Sequence, residues 1–259
     1  MMNSSSGAPT TPPPSVSLAI HQRLLGAAVC GNSAEMKHMA LQTPGVLLGT
    51  TPQGNTCLHI ACIHGHERFC RDVLALTTNQ QSPAPAAPLL GAVNADGETP
   101  LLAAVASGHV SLASFILGRC RDERLSEAIQ TQDKRGFNAL HHAIRSGHRK
   151  LALQLIDAEP GLSKAVNRYD ESPMFIAVMR NYAEVSEKLL EIPDSAHGGA
   201  YGYNALHAAV RSGNPGMHVF SSLYKSRMYD DAMHVGSQLS QKGSWRHVPG
   251  WREKKTSTR

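Results

Sequence analysis

Gly136-Phe137-Asn138-Ala139-Leu140-His141-His142-Ala143-Ile144-Arg145-Ser146-Gly147-His148-Arg149-Lys150-Leu151-Ala152-Leu153-Gln154-Leu155-Ile156 is the stretch that decides the fold. A turn glycine is followed by a short helix opened by Asn138-Ala139-Leu140-His141. A Gly147-His148 break then leads into a second helix carrying Leu151, Ala152, Leu155 and Ile156. Such a segment predicts one helix-turn-helix unit of roughly 33 residues. The same order of residue types stands at Thr56-Cys57-Leu58-His59-Ile60-Ala61 with Gly65-His66, and at Thr99-Pro100-Leu101-Leu102-Ala103-Ala104 with Gly108-His109. It returns in altered form at Ser172-Pro173-Met174-Phe175-Ile176-Ala177, and at Asn204-Ala205-Leu206-His207-Ala208-Ala209 with Gly213-Asn214. The unit openings Thr56, Thr99, Asn138, Ser172 and Asn204 are separated by 43, 39, 34 and 32 residues, so the first two steps require insertions.

These five segments resemble the ankyrin repeat, whose signature is Thr-Pro-Leu-His-x-Ala followed by Gly-His. The resemblance implies an all-α ankyrin-repeat solenoid of about five to six repeats, in which helix pairs and hairpin turns stack so that each repeat touches only its neighbours.

Composition agrees with a small-residue helical stack. Charged residues make up 17% of the 259 and aromatic residues 5%, which leaves little material for a large aromatic core. The five cysteines are an odd number, three of them (Cys57, Cys62, Cys70) lie in one repeat, and no secretory signal precedes them. Free thiols in a reducing compartment are the expectation. No apolar run reaches the ~18 residues that a membrane helix needs. The net charge of +5 is confined to the end of the sequence: from Lys242 onward there are six basic residues and one acid, while the remainder balances 19 against 19. A neutral body makes nucleic acid an unlikely partner, although the basic tail with its Trp245 and Trp251 leaves an anionic membrane surface or a nucleic acid as an alternative.

Along the chain, residues 1–15 are rich in Ser, Thr and Pro and cannot bury enough apolar surface to offset ordering, so a disordered leader is expected. The repeat domain is expected over 16–214. Its first unit is a degenerate cap that opens at Gln22 and lacks its hairpin turn. Residues 77–93, with Pro83, Pro85 and Pro88, read as a loop insertion. The polar connector 119–132 would extend a helix or add a turn. Asp170 stands where other units have the turn glycine, and Asn181-Tyr182 replaces Gly-His. Counted from each Gly-His glycine, offsets five, eight and nine carry the buried face of the second helix. In the sixth unit those offsets are His218, Ser221 and Ser222, so 215–259 is expected to be a divergent basic tail outside the array.

Cys57, His59, Cys62, His64, His66 and Cys70 together suggest a zinc cluster. Against it, His59 and His66 are repeat positions, Cys57 stands where the next unit has proline, and Cys70 occupies a buried offset. No metal and no cofactor is the expectation, with a zinc-dependent enzyme as the alternative. No phosphate loop, nucleophile elbow or metalloprotease motif is present in the sequence, so no catalytic residue is assigned. In ankyrin repeats the first-helix histidine ties neighbouring turns together. The resemblance implies that role for His59, His141 and His207, with weaker joints where Leu102 and Phe175 stand instead.

Binding is the activity the architecture leaves. The concave face should present the residue before each opening and the two before each Gly-His. Arg145, Arg180 and Arg211 then fall at near-equivalent places on successive units, with Phe137, Tyr201 and Tyr203 close by. Aromatic and Arg anchors tend to dominate interface energies, so a basic-aromatic ridge that docks an acidic protein segment is expected, with no small-molecule substrate. A solvated face is the alternative.

The wording of the units, such as Gly54-Asn55-Thr56-Cys57-Leu58-His59-Ile60-Ala61, Asp96-Gly97-Glu98-Thr99-Pro100-Leu101 and Gly202-Tyr203-Asn204-Ala205-Leu206-His207-Ala208-Ala209, also resembles the ankyrin half of plant ankyrin-transmembrane proteins with a C-terminal PGG domain. The likeness covers residues 16–214. It implies a cytosolic protein-interaction part at the plasma membrane, in plant defence, cell-death or stress signalling. The sequence departs from that family where the membrane helices should follow, so a soluble cytosolic adaptor unrelated to membranes is the alternative.

Overall fold

The computed structural model describes residues 19–78 and 86–212. Helix pairs follow one another: α1 (Gln22–Cys30) with α2 (Ser33–Gln42), then α3 (Cys57–His64) with α4 (Glu67–Thr78). After α5 (Ala86–Leu90) come α6 (Pro100–Ala106) with α7 (Val110–Asp122), and after α8 (Ser126–Gln130) come α9 (Ala139–Arg145) with α10 (Arg149–Ala158). The fifth pair is α11 (Pro173–Met179) with α12 (Ala183–Leu190), and α13 (Ala205–Ser212) opens the sixth repeat.

The chain turns into each first helix where a side chain can cap it. Thr56, Thr99, Asn138, Ser172 and Asn204 accept the N–H three residues on, at 3.4, 3.4, 3.0, 3.1 and 3.0 Å, satisfying one of the orphan donors of a helix start. Pro100 and Pro173 occupy the first helical position, where the missing N–H costs nothing. Each pair breaks at a left-handed residue: Gly31, Gly65, Gly108, Gly147 and, in the fifth repeat, Asn181 at φ 58°. Asparagine tolerates that region better than most residues.

Most of the first helices have seven or eight residues, well short of the ~12–15 needed for marginal stability alone. Packing therefore holds them. α1, α3, α6, α9, α11 and α13 form one layer in which each touches the next, and α2, α4, α7, α10 and α12 pack behind. A helix sandwiched on both sides becomes apolar nearly all round, and Pro100 through Val105 and Pro173 through Val178 are buried without a gap. On the second helices the offsets five, eight and nine are buried, with Leu190 only partly so. A fourth offset emerges too: Phe69, Leu112, Leu151 and Val185 are equally buried.

Two expectations need correction. The first repeat is capped by His21, whose Nδ1 accepts from Arg23 N–H at 3.2 Å, one residue before the expected Gln22. The entry is fixed there because Ile20 N–H donates to Thr50 O at 2.9 Å. Within 77–93, α5 forms and buries Ala86, Leu89 and Leu90 against α4, α6 and α7. Pro88 is tolerated as the third residue of that helix, where no intrahelical donor is needed. In the connector both outcomes occur, since α7 runs on to Asp122 and α8 follows. The leader 1–15, His218, Ser221, Ser222 and the tail 215–259 lie outside the described residues.

Two glycines differ in what they do. Gly136 has φ +80°, and a Cβ there would stand 3.0 Å from Asn167 Cα and 3.1 Å from Arg168 N in the next repeat. Gly118 lies within α7 with nothing within 4 Å of a built Cβ. Gly136→Ala should lower unfolding stability by about 1–3 kcal/mol, whereas Gly118→Ala should raise it by about 0.5–1 kcal/mol through helix propensity. Urea titration followed by circular dichroism checks both signs.

Candidate functional site

Repeats two to five begin with a hairpin whose tip is built by a side chain five residues before the cap. Asn94 Oδ1 accepts Asp96 N–H and Glu98 N–H, both at 2.9 Å. Asp133 Oδ1 accepts Arg135 N–H at 2.8 Å and Phe137 N–H at 2.9 Å, and Asn167 Oδ1 accepts Tyr169 N–H at 2.8 Å and Glu171 N–H at 3.0 Å. In the second repeat Thr51 Oγ1 takes Asn55 N–H at 3.1 Å. The sequence reading missed this column, although Asn, Asp and Asn at a constant offset are a legible turn signal.

The tips dock on one another through backbone. Ala95 N–H donates to Gln53 O at 2.7 Å, Lys134 N–H to Asp96 O at 2.8 Å and Arg168 N–H to Arg135 O at 2.9 Å. The first-helix histidines reinforce this docking. His59 Nε2–H donates to Glu98 O at 3.0 Å, and His141 Nε2–H to Glu171 O at 3.1 Å, while each Nδ1 takes the N–H of its own cap. His207 accepts Asn204 N–H in the same way at 3.3 Å, and its outer neighbour lies outside the described residues.

Where Leu102 and Phe175 replace histidine, the joint is made differently. The capping hydroxyl, free of an imidazole, donates outward: Thr99 Oγ1 to Ala128 O on α8 at 3.3 Å and Ser172 Oγ to Gly198 O at 2.8 Å. The Phe175 ring fills the space where a side chain at Gly199 would be, 2.2 Å from a built Cβ. A second joint uses the Gly-His break. His66 Nε2–H donates to Val29 O at 2.7 Å and His109 Nε2–H to Ile63 O at 3.0 Å. Their rings lie so close to Gly31 and Gly65 that a Cβ would stand 2.7 and 2.6 Å away.

The histidine and cysteine cluster of the second repeat does not converge. His59 faces Glu98 and His66 faces Val29, while Cys57, Cys62 and Cys70 are buried between helices, with Cys62 and Cys70 sulfurs 3.9 Å apart. Burial pushes the Cys57 thiol up to about 12 and Cys62 well above its ordinary value, which disfavours the thiolate that a metal would need. Among the described residues no group of three or more His, Cys, Asp or Glu could hold a metal ion.

Of the expected ridge, Phe137, Arg145, Arg180 and Tyr201 come together. They line one open groove of about 840 Å³ along the hairpins and first helices of repeats four to six, with Arg135, Tyr169, Asp170, Glu171, Phe175, Ile176, Met179 and Ala200. Phe137 does not face solvent as expected. It is 1% exposed, because Arg145 lies 4.6 Å over its ring and Tyr169, His141 and His142 surround it. It is the groove's floor. Tyr201, 96% exposed at φ 60°, and Met179, 60% exposed, stand at its sides. Tyr203 and Arg211 do not line it; Tyr203 is half exposed with its ring edge-on to His207 at 5.7 Å, and Arg211 is on α13. Arg135 and Tyr169 were missed, yet they share with Tyr201 the position three before the cap. Among the described residues Arg145 and Arg180 form no ion pair with a carboxylate, unlike Arg23, Arg71 and Arg119. Asp170 and Glu171 add negative charge, but Glu171 Oε2 already accepts Asn167 Nδ2–H at 2.9 Å.

Helix pairs joined by docked hairpins, stacked one on the next, define a repeat protein. Comparison supplies the class: a model of the ankyrin repeat matches residues 53–76, and one described as ankyrin repeats (3 copies) matches 78–165. The chain carries ankyrin repeats and is an all-α ankyrin-repeat solenoid. Its structure is similar to that of the human ASB11 ankyrin repeat domain, at 22% identity over 80% of this chain and 83% of that one, with a TM-score of 0.52. At that identity the likeness concerns the fold.

The buried histidines make the array sensitive to acid. Burial holds His59 below its ordinary value and brings His141 down from 6.5 to about 4. A depressed folded pKa means that the unfolded chain binds the proton first, so stability is complete above pH 6.5 and drains as pH falls toward 4. For His141 the loss between pH 6.5 and 5 should be about 2 kcal/mol. Denaturant midpoints across that range should fall in the wild type and fall less in His141→Gln.

Proposed function

We propose that the protein is a protein-protein interaction module whose docking site is the groove over repeats four to six, and that its partner presents an acidic, extended segment. Ankyrin repeats indicate a protein-binding scaffold. The observation that carries the finer reading is Arg145 stacked on a buried Phe137, with Arg180 beside the same open groove and neither guanidinium paired to a carboxylate among the described residues. Stacked Arg is pre-organised to take a carboxylate through two N–H donors at once. Met179, Tyr169 and Tyr201 supply apolar area beside it. The resemblance of the repeats to plant ankyrin-transmembrane proteins supports a setting in defence or stress signalling at the cytosolic face of the plasma membrane. Among the described residues no helix is long and apolar enough to cross a membrane, so membrane residence would depend on other parts of the protein or on a partner.

Panning a random 12-residue peptide library against the purified protein should enrich Asp and Glu. Affinity for the selected peptides should drop at least ~10-fold in Arg145→Glu with Arg180→Glu, the size of effect expected from losing an anchor worth more than ~1.4 kcal/mol. Enrichment without acidic residues, or unchanged affinity in the double variant, would contradict the reading. For the setting, a tagged chain in plant cells should pellet with membranes, and quantitative recovery in the supernatant would count against it.

A further inference from the structure

Three consecutive hairpins satisfy the same backbone donors in two different ways. In repeats three and five the residue five before the cap is an asparagine, and the residue just before the cap is a glutamate. Asn94 Nδ2–H donates to Glu98 Oε2 at 3.3 Å, and Asn167 Nδ2–H to Glu171 Oε2 at 2.9 Å. The carboxamide has spare donors, and the glutamate takes one. Repeat four carries Asp133 in place of asparagine, and a carboxylate has no N–H to give. A glutamate at position 137 would there set two carboxylates against each other. The chain has Phe137 instead, and Asp133 Oδ2 is met from the other side by His142 Nε2 at 3.1 Å. His142 stands where repeats three and five have Ala103 and Ile176, and neither of those could make this bond.

Burial alone would raise the Asp133 pKa, but the Phe137 N–H, His142 and the Arg135 N–H outweigh it and hold the carboxylate below its ordinary value. The same His142 packs 5.4 Å from the Phe137 ring. Asp133 thus fixes the backbone of Phe137 through Oδ1, and its partner His142 fixes the ring.

We infer that Asp133 and His142 are positioning residues for the docking groove. Replacing the Asn and Glu side-chain pair of the neighbouring repeats by the pair of Asp133 and His142 lets a phenyl ring, in place of a carboxylate, stand before the cap of repeat four. The groove thereby gains its aromatic floor, and among the described residues Arg145 has no ion-pair partner. Its occupant is an extended peptide with an acidic side chain next to an apolar one, since Arg145 and Arg180, unpaired among the described residues, face Asp170 and the already engaged Glu171, while Arg135 is held 3.9 Å from Asp133. This inference rests on the groove being the docking site, and the test separates the two.

The full chain is made as Asp133→Asn, Phe137→Glu and their combination, each with and without His142→Ala. Thermal unfolding reads the exchange without any ligand. Phe137→Glu alone should lower Tm by ~3 °C or more, and Asp133→Asn together with Phe137→Glu should recover most of that loss by restoring the arrangement of the neighbouring repeats. His142→Ala should lower Tm in the wild type, where it removes the hydrogen bond to Asp133 Oδ2 and leaves that oxygen only the Arg135 guanidinium at 3.9 Å, and have little effect in the restored background. Additive shifts, or an equal cost of His142→Ala in both backgrounds, overturn the inference. Binding is read with 3-phenylpropionate, a carboxylate bearing one phenyl ring, by saturation-transfer NMR. Its signal should appear with the wild type and fall at least tenfold in the restored variant. No transfer in the wild type, or full transfer in the restored variant, would instead overturn the groove as the docking site, whatever the melting data say.

Discussion

A hydrogen bond from the backbone N–H of one hairpin tip to the backbone carbonyl of the tip before it is the contact on which the rest of the structure depends. It recurs at Ala95, Lys134 and Arg168. Helices of seven or eight residues supply too little order alone, and a solenoid has no central core that could hold distant parts together. Register from one repeat to the next must therefore come from contacts of fixed length. Backbone docking supplies that, and it explains why Gly97 and Gly136 are needed twice over: for their positive φ and because the following tip leaves no room for a side chain.

Histidine then does at two places what a flexible side chain could not. Inside the stack His59 and His141 join their own cap to the next hairpin, and on the outer side His66 and His109 cover the glycine of the preceding repeat while bonding the end of its first helix. An imidazole can accept on one nitrogen and donate on the other while presenting flat apolar faces. Where it is absent, the capping hydroxyl of Thr99 or Ser172 turns outward and the neighbouring chain closes in, to the point that only glycine fits at position 199. The groove sits where this uniform scheme is varied most, around Asp133, Phe137, His142 and Phe175.

Much of this was legible in the sequence because the repeat imposes period and punctuation. Thr56, Thr99, Asn138, Ser172 and Asn204 announce their helices, and Asp170 takes the left-handed place of the glycine at φ 60°. What escaped was information carried between repeats. His66 and His109 read as grammar within a unit, but their partners are Val29 and Ile63 one unit back. Leu89 and Leu90 read as part of a Pro-rich insertion, since nothing local says that α4, α6 and α7 leave a hollow for them. Phe137 read as a surface anchor because its column elsewhere holds Asn55, Glu98 and Glu171. Its burial follows from Arg145, Tyr169 and His142 closing over it, residues that lie eight, thirty-two and five positions further along the chain.

If docking of tips sets the register of the stack, the amides that make it should be as slow to exchange as the helices they organise. Native-state hydrogen exchange, resolved to single amides, measures this directly. The account predicts that Ala95, Lys134 and Arg168 N–H, although placed at turns, are protected to the same extent as Leu140 and Leu155 in the packed helices. Exchange of those three amides at the rate of an open loop, with the helices still protected, would mean that helix packing alone fixes the repeats and that the tips merely follow.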